Sequence, residues 1–355
     1  MKKMRIAIIG QGRSGKDIHG KYFLSSDNDI IEVKYVVELL EERREIAKKD
    51  YNCEVLSDYR ELFEKKDIDL VVNASFSQMH YDITKDLLNH GFNVLVEKPF
   101  GRTSFECMDL IKTAKEKGVI VAAFHQSLYA PSFKGVKEFI KSGILGEVFQ
   151  ISLKYSGFAR RWDWQTVQRC CAGSVFNSGP HPIGQALDML GWDKNFRVEY
   201  SDLKTVLTSG DAEDYGKIIL KVPNKPTIDI EICSVDAYSD FVFKVYGSKG
   251  TLKATNESYE LKRIEPEKLD PKPVTLKPLM DEEFRPLYCS EKLPIIEENG
   301  KFSGSSFDSA VKEYYEMLYA TIMEGKPLEI SPEMASEVIR VIEICHAQNP
   351  LPVKF

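Results

Sequence analysis

Residues 5–15 read RIAIIGQGRSG, an apolar run that ends in three closely spaced glycines. Within it, Arg5–Ile9 predicts a buried strand, and the spacing Gly10-x-Gly12-x-x-Gly15 is typical of the turn from a strand into a helix. Glycines at these positions permit a tight turn and let backbone N–H groups approach a pyrophosphate at the helix N-terminus. We therefore predict a dinucleotide-binding loop. Its contact residues are Gly10, Gln11, Gly12, Arg13, Ser14 and Gly15.

An acidic residue follows the glycines by about 20 residues, where a dinucleotide-binding fold places the group that binds the adenosine ribose. This residue is Glu38, directly after the predicted strand Ile31–Val37. Its carboxylate can accept hydrogen bonds from ribose hydroxyls, and its charge repels a 2′-phosphate. The sequence therefore favours NAD over NADP as the cofactor. Arg43 and Arg44 in the next predicted helix weaken this preference slightly.

The first 124 residues alternate between short β-branched runs and longer stretches rich in Glu, Lys and Leu. We predict strands at Arg5–Ile9, Ile31–Val37, Leu70–Ala74, Asn93–Val96 and Val119–Phe124. We predict helices between them at Leu39–Lys49, Tyr81–Asn89 and Ser104–Lys117. Continuous apolar strands separated by helices indicate a parallel sheet that is covered on both faces. Residues 1–124 are therefore predicted to form a doubly wound α/β domain of the Rossmann type.

The pattern changes in residues 125–355, which we predict to form an α+β domain with a large, mainly antiparallel open sheet. Its predicted strands are Glu147–Ser156, Val198–Thr208, Gly216–Val222, Thr227–Val235, Asp240–Tyr246 and Gly250–Ala254. Its predicted helices are Ser132–Lys141, Pro180–Leu190, Phe307–Met323 and Pro332–Ala347, of which the last two can pack back on the first domain. Residues 264–300 are rich in Pro, Glu and Lys and are predicted to be irregular.

Too few helices are predicted around the second sheet to cover both of its faces. The strands concerned run from Val198 to Ala254. An uncovered apolar sheet face is usually buried between subunits. We therefore expect a homodimer or a homotetramer.

The composition is that of an ordinary globular protein, since the 355 residues are 43% hydrophobic and 29% charged and carry a net charge of −6. Opposite charges are interspersed, so no basic block predicts a nucleic-acid partner. No apolar run approaches the ~20 residues that span a membrane, and the N-terminus passes directly into the first strand, which predicts a cytoplasmic protein. The seven cysteines contain no C-x-x-C pair and the histidines show no ligand spacing, so no metal site is predicted.

A lysine follows the fourth predicted strand in the tripeptide Glu97-Lys98-Pro99. Ligands of open α/β sheets bind outside the carboxyl ends of the strands. This position predicts that Lys98 lies at the cofactor crevice, although a lysine there can also be a solvated loop residue.

These motifs resemble the glucose–fructose oxidoreductase / inositol dehydrogenase / MocA family over nearly the whole chain. The motifs that carry the resemblance are Gly10-x-Gly12-x-x-Gly15, Ser75 to His80, Glu97-Lys98-Pro99, Ala172 to His181 and Glu324-Gly325-Lys326-Pro327. The resemblance implies an NAD(P)-dependent dehydrogenase acting on CH–OH groups, with Lys98 and His181 as its catalytic residues. The further cofactor-binding residues that it implies are Ser75, Phe76, His80, Glu97, Lys98 and Gln126.

The implied catalytic pair has suitable chemistry. A histidine with a pKa of ~6.5 can take the hydroxyl proton while hydride leaves for nicotinamide, and a neighbouring ammonium stabilises the developing alkoxide and keeps the imidazole neutral. Asn177 stands where the family often has aspartate, so it can hold a substrate hydroxyl but cannot act as a charged proton acceptor. Gln126 stands where an asparagine often contacts the nicotinamide region.

Aromatic and basic residues precede the His181 motif. Tyr155 and Trp162 are predicted to contact substrate, because aromatic faces stack on sugar rings, although such a segment can equally belong to the core or to a subunit interface. The predicted substrate-binding residues are Lys98, Tyr155, Trp162, Asn177 and His181.

The sequence thus predicts an NAD-dependent oxidoreductase that transfers hydride between nicotinamide and a hydroxyl-bearing carbon of a sugar, an inositol or another polyol. Two alternatives stay open. One is a glycoside-processing enzyme that uses bound NAD for transient oxidation at C3. The other is a non-catalytic regulator that binds sugar and NAD, which Lys98 and His181 argue against and Asn177 keeps open.

Overall fold

The computed structural model describes residues 2–304 and 307–355, and its first sheet has six parallel strands. These strands are β1 (Met4–Ile9), β2 (Ile31–Val37), β3 (Glu54–Leu56), β4 (Leu70–Asn73), β5 (Val94–Val96) and β6 (Val121–Ala123). Their order across the sheet is β3-β2-β1-β4-β5-β6, which is the strand order of the Rossmann fold. The predicted doubly wound parallel sheet is therefore confirmed.

Helices connect these strands. A π-helical turn, Arg13–Gly20, leads from the glycine loop into α1 (Lys21–Phe23). The longer helices are α2 (Glu41–Tyr51), α3 (His80–Asn89) and α4 (Ser104–Lys117). Helix α4 has the predicted bounds because its ends carry clear signals: the Thr103 side chain caps the start, and Gly118 takes a φ of 67° after the last turn.

The edge strand β3 is missing from the sequence prediction. It pairs with β2 at the margin of the sheet, and only Leu56 of its three residues is buried. A strand this short offers no apolar periodicity, so nothing in its sequence distinguishes it from a loop.

The second half of the chain builds an eight-stranded sheet in the order β14-β13-β12-β11-β7-β10-β9-β8. Its strands are β7 (Val148–Ser156), β8 (Arg197–Lys204), β9 (Tyr215–Lys221), β10 (Thr227–Cys233), β11 (Phe243–Gly247), β12 (Gly250–Ala254), β13 (Ser258–Arg263) and β14 (Ile296–Lys301). Among the strands that the structure describes in this sheet, only β7 and β10 pair in parallel, so the predicted mainly antiparallel sheet is confirmed. The predicted domain boundary between residues 124 and 125 lies just after β6 and stays a prediction.

The prediction that residues 264–300 are irregular is wrong at its C-terminal end. Residues Ile296–Lys301 form β14, which pairs with β13, another strand that the sequence analysis does not predict. The sequence of β14 is IEENGK, and its residues alternate only between exposed and half-buried positions at the sheet edge. Pairing with a neighbour, and not burial of an apolar face, therefore makes this segment a strand.

The remaining helices lie against both sheets. They are α5 (Pro131–Lys141), α6 (Ser174–Asn177), α7 (Pro180–Met189), α8 (Asp308–Glu324) and α9 (Pro332–Gln348). Helix α8 contacts the first sheet, where the Tyr314 hydroxyl donates to the carbonyl oxygen of Ala123 at 2.7 Å. Among the described residues, no helix is long and apolar enough to cross a membrane.

The two faces of the second sheet differ sharply in chemistry. The inner face is apolar and buried, as Ile151, Ile230 and Leu252 illustrate. The outer face carries a row of alternating charges, in which each residue is the direct cross-strand partner of the next. The row consists of Asp202, Lys217, Glu231 and Lys154, on β8, β9, β10 and β7.

The expectation of an uncovered apolar face on this sheet is therefore wrong. Strands with polar side chains on one face need no protein cover on that face. The expected homodimer or homotetramer then rests on the family resemblance alone and stays a prediction.

Candidate functional site

Each glycine of the loop after β1 meets a different geometric need. Gly10 has a φ of +94°, and a Cβ there would lie 2.5 Å from the carbonyl oxygen of Ala74. A Cβ on Gly15 would lie 1.9 Å from the carbonyl oxygen of Gly10, so glycine is needed for the helix to start this close to the strand. Around Gly12, by contrast, no atom beyond its chain neighbours lies within 4 Å of an added Cβ. The loop is therefore open at Gly12, where a pyrophosphate can approach the backbone.

Glu38 lies beside this loop at the end of β2. One carboxylate oxygen accepts the N–H of Gln11 at 2.8 Å, and the other accepts the N–H of Leu40 at 3.0 Å. The Arg44 guanidinium donates to the carbonyl oxygen of Glu38 at 2.7 Å, while the half-exposed Arg43 lies 3.9 Å from the carboxylate. Glu38 thus fixes the loop, and the Arg43 guanidinium lies beside its carboxylate.

The segment from Ser75 to His80 follows β4 at the same edge of the sheet. Phe76 is 44% exposed, whereas His80 is buried beneath the segment. The two ring nitrogens of His80 lie 2.8 Å from the carbonyl oxygen of Pro99 and 3.2 Å from that of Ser75, and burial lowers the pKa of the ring. A neutral imidazole has one N–H, so His80 donates to one of these two carbonyl oxygens, and its buried ring is not presented to a ligand.

Lys98 joins the two halves of the chain. Its ammonium donates to the backbone carbonyl oxygen of Asn177 at 2.8 Å and to the Asn177 side-chain oxygen at 3.0 Å. Burial lowers the pKa of Lys98, the charge of Glu97 raises it, and the charges of Arg13 and Arg161 lower it further. The structure therefore brings together two predicted site residues that lie far apart in the sequence.

Glu97 lies deeper than Lys98 and is 2% exposed. One carboxylate oxygen accepts the backbone N–H of Lys98 at 2.9 Å, and the other lies 3.1 Å from Nε2 of His19. Because Glu97 is almost fully buried and its second oxygen faces the equally buried His19, a direct contact between this carboxylate and a cofactor does not fit the geometry. Glu97 can influence the site only through Lys98 and the charges around it.

His181 stands at the first turn of α7 and remains partly accessible. Its Nδ1 lies 3.2 Å from Oγ of Ser127, and its ring stacks on Tyr155 with the ring centroids 6.3 Å apart. Burial, together with the charge of Lys98 and the nearby His125, lowers the pKa of His181 to about 3. The imidazole is therefore neutral near pH 7 and able to accept a proton.

Two residues that the sequence analysis missed complete a hydrogen-bonded chain behind His181. The Tyr155 hydroxyl donates to Oε1 of Gln185 at 3.0 Å, and the Gln185 amide donates to the carbonyl oxygen of Ser127 at 3.0 Å. Gln185 lies four residues after His181 on the same helix, and this spacing places the two on one face. Ser127 has no comparable sequence signal.

Of the buried polar atoms near Lys98 that lack a hydrogen-bond partner among the described residues, two belong to consecutive residues after β6. They are Oε1 of Gln126 and Nδ1 of His125. An orphaned amide oxygen of this kind normally meets a ligand or ordered water, because an unpaired buried acceptor is costly. A carboxamide N–H of nicotinamide would suit Oε1 of Gln126, so this residue and the open loop at Gly12 both fit a bound dinucleotide.

The structure separates the two aromatic residues predicted to contact substrate. Tyr155 belongs to the His181 group, whereas the Trp162 side chain is 78% exposed. Trp164, two residues later, packs edge-on against Phe76 with the ring centroids 5.0 Å apart. The segment that carries Trp162 thus runs from the second sheet to the loop after β4, past the cleft that contains Lys98.

We expect stability to fall as the pH drops from about 6.5 to about 4, because burial lowers the pKa of His125 to about 4 in the folded protein. Within this window the unfolded chain binds a proton at His125 that the folded chain does not bind. The free energy of unfolding should therefore decrease by about 1.4 kcal/mol per pH unit from this group. His125→Asn should flatten the slope in urea unfolding curves, and an unchanged slope would contradict the assignment.

His346 provides a comparison in which the pKa of a buried histidine shifts in the opposite direction. Burial opposes its charged form, but a contact of 3.3 Å with Glu213 outweighs burial and raises the pKa of His346. Its stabilisation is fully present below the unfolded pKa of about 6.5 and is lost as the pH rises through the folded pKa. His346→Asn should therefore reduce stability at acidic pH while leaving the slope between about pH 4 and about pH 6 unchanged.

Comparison with known proteins identifies the family of the chain. Residues 4–125 match the family model described as "Oxidoreductase family, NAD-binding Rossmann fold", and residues 133–253 match the GFO/IDH/MocA C-terminal domain. The chain is 26% identical over 222 residues to scyllo-inositol 2-dehydrogenase (NADP(+)) IolW of Bacillus subtilis, a match that covers 61% of each protein. It is 24% identical over 217 residues to D-glucoside 3-dehydrogenase of Escherichia coli, with 60% of this chain and 62% of that protein covered.

Among solved structures, GenD2 from gentamicin A biosynthesis in complex with NAD has a TM-score of 0.77 and 18% identity. The likeness covers 100% of this chain and 97% of GenD2, and it supports the fold. The two family models together cover more than half of the chain. The chain therefore belongs to the GFO/IDH/MocA family of oxidoreductases with an NAD-binding Rossmann fold.

Proposed function

We propose that the chain is an NAD-dependent dehydrogenase that moves hydride between nicotinamide and a hydroxyl-bearing carbon of a sugar, an inositol or another polyol. The observation that carries this proposal is the contact of Lys98 with Asn177 beside a neutral His181. A cation, a polar anchor and a proton acceptor are the groups that oxidation of an alcohol requires. The names of the two curated relatives, an inositol dehydrogenase and a glucoside dehydrogenase, support the substrate class.

Residues of the first sheet are proposed to hold the cofactor. The open backbone at Gly12 suits the pyrophosphate, Glu38 suits the adenosine ribose, and Gln126 suits the carboxamide. When bound, nicotinamide supplies the hydride-transfer chemistry. NAD is proposed over NADP because of Glu38, although the B. subtilis relative is named for NADP(+) and GenD2 was solved with NAD.

The remaining groups act on the substrate hydroxyl. The Nδ1 atom of His181 is directed to Ser127, which leaves Nε2 to take the hydroxyl proton. The Lys98 ammonium stabilises the oxygen as negative charge develops, and its charge also keeps the imidazole neutral. Asn177 shares its side-chain oxygen with Lys98, so the Asn177 amide N–H groups are available to hold a second hydroxyl.

A second candidate function follows from the position named in one relative, a D-glucoside 3-dehydrogenase. Oxidation at C3 acidifies the neighbouring C–H bond, so a glycoside can then be eliminated with NAD reduced and reoxidised in the same site. A dye-coupled assay separates the two functions, since net dehydrogenation releases NADH in each turnover and elimination does not.

Gly12→Ala should weaken NADH binding without damaging the fold. Gly12 has a φ of −76°, which alanine also adopts, and the new methyl group would occupy only the open space outside the loop. We expect the dissociation constant for NADH to rise by at least about tenfold, or about 1.4 kcal/mol, in fluorescence titrations. Gly157→Ala is the matched control, because open space also surrounds an added Cβ there. Equal NADH binding by wild type and Gly12→Ala would contradict the proposed pyrophosphate site.

The choice between NAD and NADP has its own test. Wild type should bind NADH more tightly than NADPH, because the Glu38 carboxylate repels a 2′-phosphate. Glu38→Gln preserves the size of the side chain and removes its charge. It should therefore reduce the difference in affinity between NADH and NADPH, mainly by strengthening NADPH binding. Arg43→Ala should weaken NADPH binding more than NADH binding. Tighter binding of NADPH than of NADH by wild type would refute the proposed preference.

Loss of the proposed catalytic groups should affect turnover and not cofactor binding. Lys98→Met and His181→Ala should each lower kcat by about 10²–10⁴-fold on the best substrate of a sugar and inositol screen, with NADH binding retained. The losses should not add in the double variant, because both groups serve one proton transfer. Asn177→Ala should raise KM more than it lowers kcat. Near-normal kcat in folded His181→Ala would exclude His181 as the base.

A further inference from the structure

A buried polar group lies beneath Lys98 and is not explained by contact with substrate or cofactor. It consists of His19, Glu97 and Tyr315, and these side chains are respectively 0%, 2% and 0% exposed. Nε2 of His19 lies 3.1 Å from Oε1 of Glu97, and the Tyr315 hydroxyl lies 2.6 Å from Nδ1 of His19. The other Glu97 oxygen accepts the backbone N–H of Lys98 at 2.9 Å. A chain of polar contacts therefore runs from the Tyr315 hydroxyl to the backbone N–H of Lys98, in which the contact of His19 with Glu97 lacks hydrogen-bond geometry.

The three residues come from three separate parts of the fold. His19 belongs to the helical turn after the glycine loop, Glu97 follows β5, and Tyr315 lies on α8. Aromatic rings enclose them, since Phe124 lies 4.4 Å and Phe23 lies 6.3 Å from His19 between ring centroids. A carboxylate in apolar surroundings interacts strongly with any charge or dipole nearby, because little water screens it.

The hydrogen-bond direction can be assigned by elimination. Burial raises the pKa of Tyr315 well above its ordinary value, so its hydroxyl stays protonated and is able to donate a hydrogen bond to Nδ1 of His19. An ionised carboxylate only accepts, so the 3.1 Å contact of Glu97 with Nε2 of His19 favours the tautomer that carries its N–H on Nε2, although this contact has the distance and not the geometry of a hydrogen bond. Burial opposes ionisation of Glu97, but the contact with His19 and then the charge of Lys98 outweigh it and lower the pKa of Glu97. The carboxylate is thus ionised throughout the neutral range.

Glu97 is the anion that opposes the positive charges around the candidate site. Its charge raises the pKa of Lys98, while burial and the charges of Arg13 and Arg161 lower it. The charge of Glu97 also raises the pKa of three histidines, against the lowering caused by burial. These are His80, His125 and His181.

We propose that Glu97 and His19 form a buried positioning pair, with Tyr315 fixing the His19 ring, and that this pair supplies the negative charge that keeps the Lys98 ammonium protonated where it meets the substrate. The inference rests on the proposed function for its catalytic consequence. The electrostatic part concerns the folded protein and can be measured without any substrate. Glu97 and His19 are positioning residues because they act through Lys98.

The first measurement is the titration of Lys98 in the full-length protein. Reductive methylation with ¹³C-formaldehyde labels the lysines, and Lys98→Arg identifies the Lys98 resonance by its loss. Glu97→Gln, which keeps the size of the side chain, should move the Lys98 titration to lower pH by at least about 1 unit. His19→Leu should cause a shift of the same sign, because an unpaired buried carboxylate takes up a proton. Tyr315→Phe should cause a smaller one.

The same variants test the catalytic consequence. If Lys98 must be protonated, the alkaline limb of the kcat profile should shift to lower pH in Glu97→Gln and His19→Leu, and the double variant should shift no further than either one. Glu97→Asp keeps the charge and should restore the position of the limb. A purely structural role would lower kcat equally at all pH values.

Glu213→Gln is the matched control. Glu213 is also a buried carboxylate facing a histidine, His346, and no effect of its charge on Lys98 is found among the described residues. This variant should leave the Lys98 titration in place. If Lys98 titrates at the same pH in folded Glu97→Gln as in wild type, the inference is overturned. If Glu97→Gln does not fold, an unchanged Lys98 titration in folded His19→Leu overturns it. A shifted titration in a chain that turns over no sugar upholds the pair and contradicts the proposed function instead.

Discussion

The contact between Lys98 and Asn177 is the constraint on which the rest of the site depends. A lysine at the end of a Rossmann strand could extend into solvent, but here its ammonium is tied to a residue of the second half of the chain. This bond ties the end of β5 to the short helix α6, which precedes the helix that carries His181. Because a buried ammonium needs compensating acceptors, the fold must bring the Asn177 segment to the same place in every molecule. The glycine loop, the strand ends and α7 are thereby arranged around one cleft.

The first sheet is predictable from sequence because its signals are local. Continuous apolar strands, a glycine turn and helix caps act within a few residues of each other, and the helix Ser104–Lys117 is predicted to the residue. The strands Glu54–Leu56 and Ile296–Lys301 escape prediction because pairing with a distant neighbour defines them. The outer face of the second sheet is misjudged for a related reason, since the number of covering helices says nothing about the side chains that point away from them.

The residues of the candidate site are likewise predictable where a local motif marks them and unpredictable where tertiary packing decides their contacts. Motif positions identify Lys98, His181 and Glu38, but they do not tell which groups face the cleft and which lie beneath it. His80 and Glu97 are themselves predicted cofactor contacts, yet their polar atoms face groups of the protein. Ser127 becomes important only because the turn after β6 passes the start of α7, a relation that depends on tertiary packing.

The charged row on the outer face of the second sheet also specifies how its strands align. The apolar inner face repeats every two residues, so a strand that slid by two positions would still bury hydrophobic side chains. Such a slip would place Glu231 opposite Ile219 or Tyr215 instead of Lys217, and the alternation of Asp202, Lys217, Glu231 and Lys154 would be lost. Hydrophobic burial thus decides which face points inward, while electrostatic pairing selects one alignment among those that burial cannot distinguish.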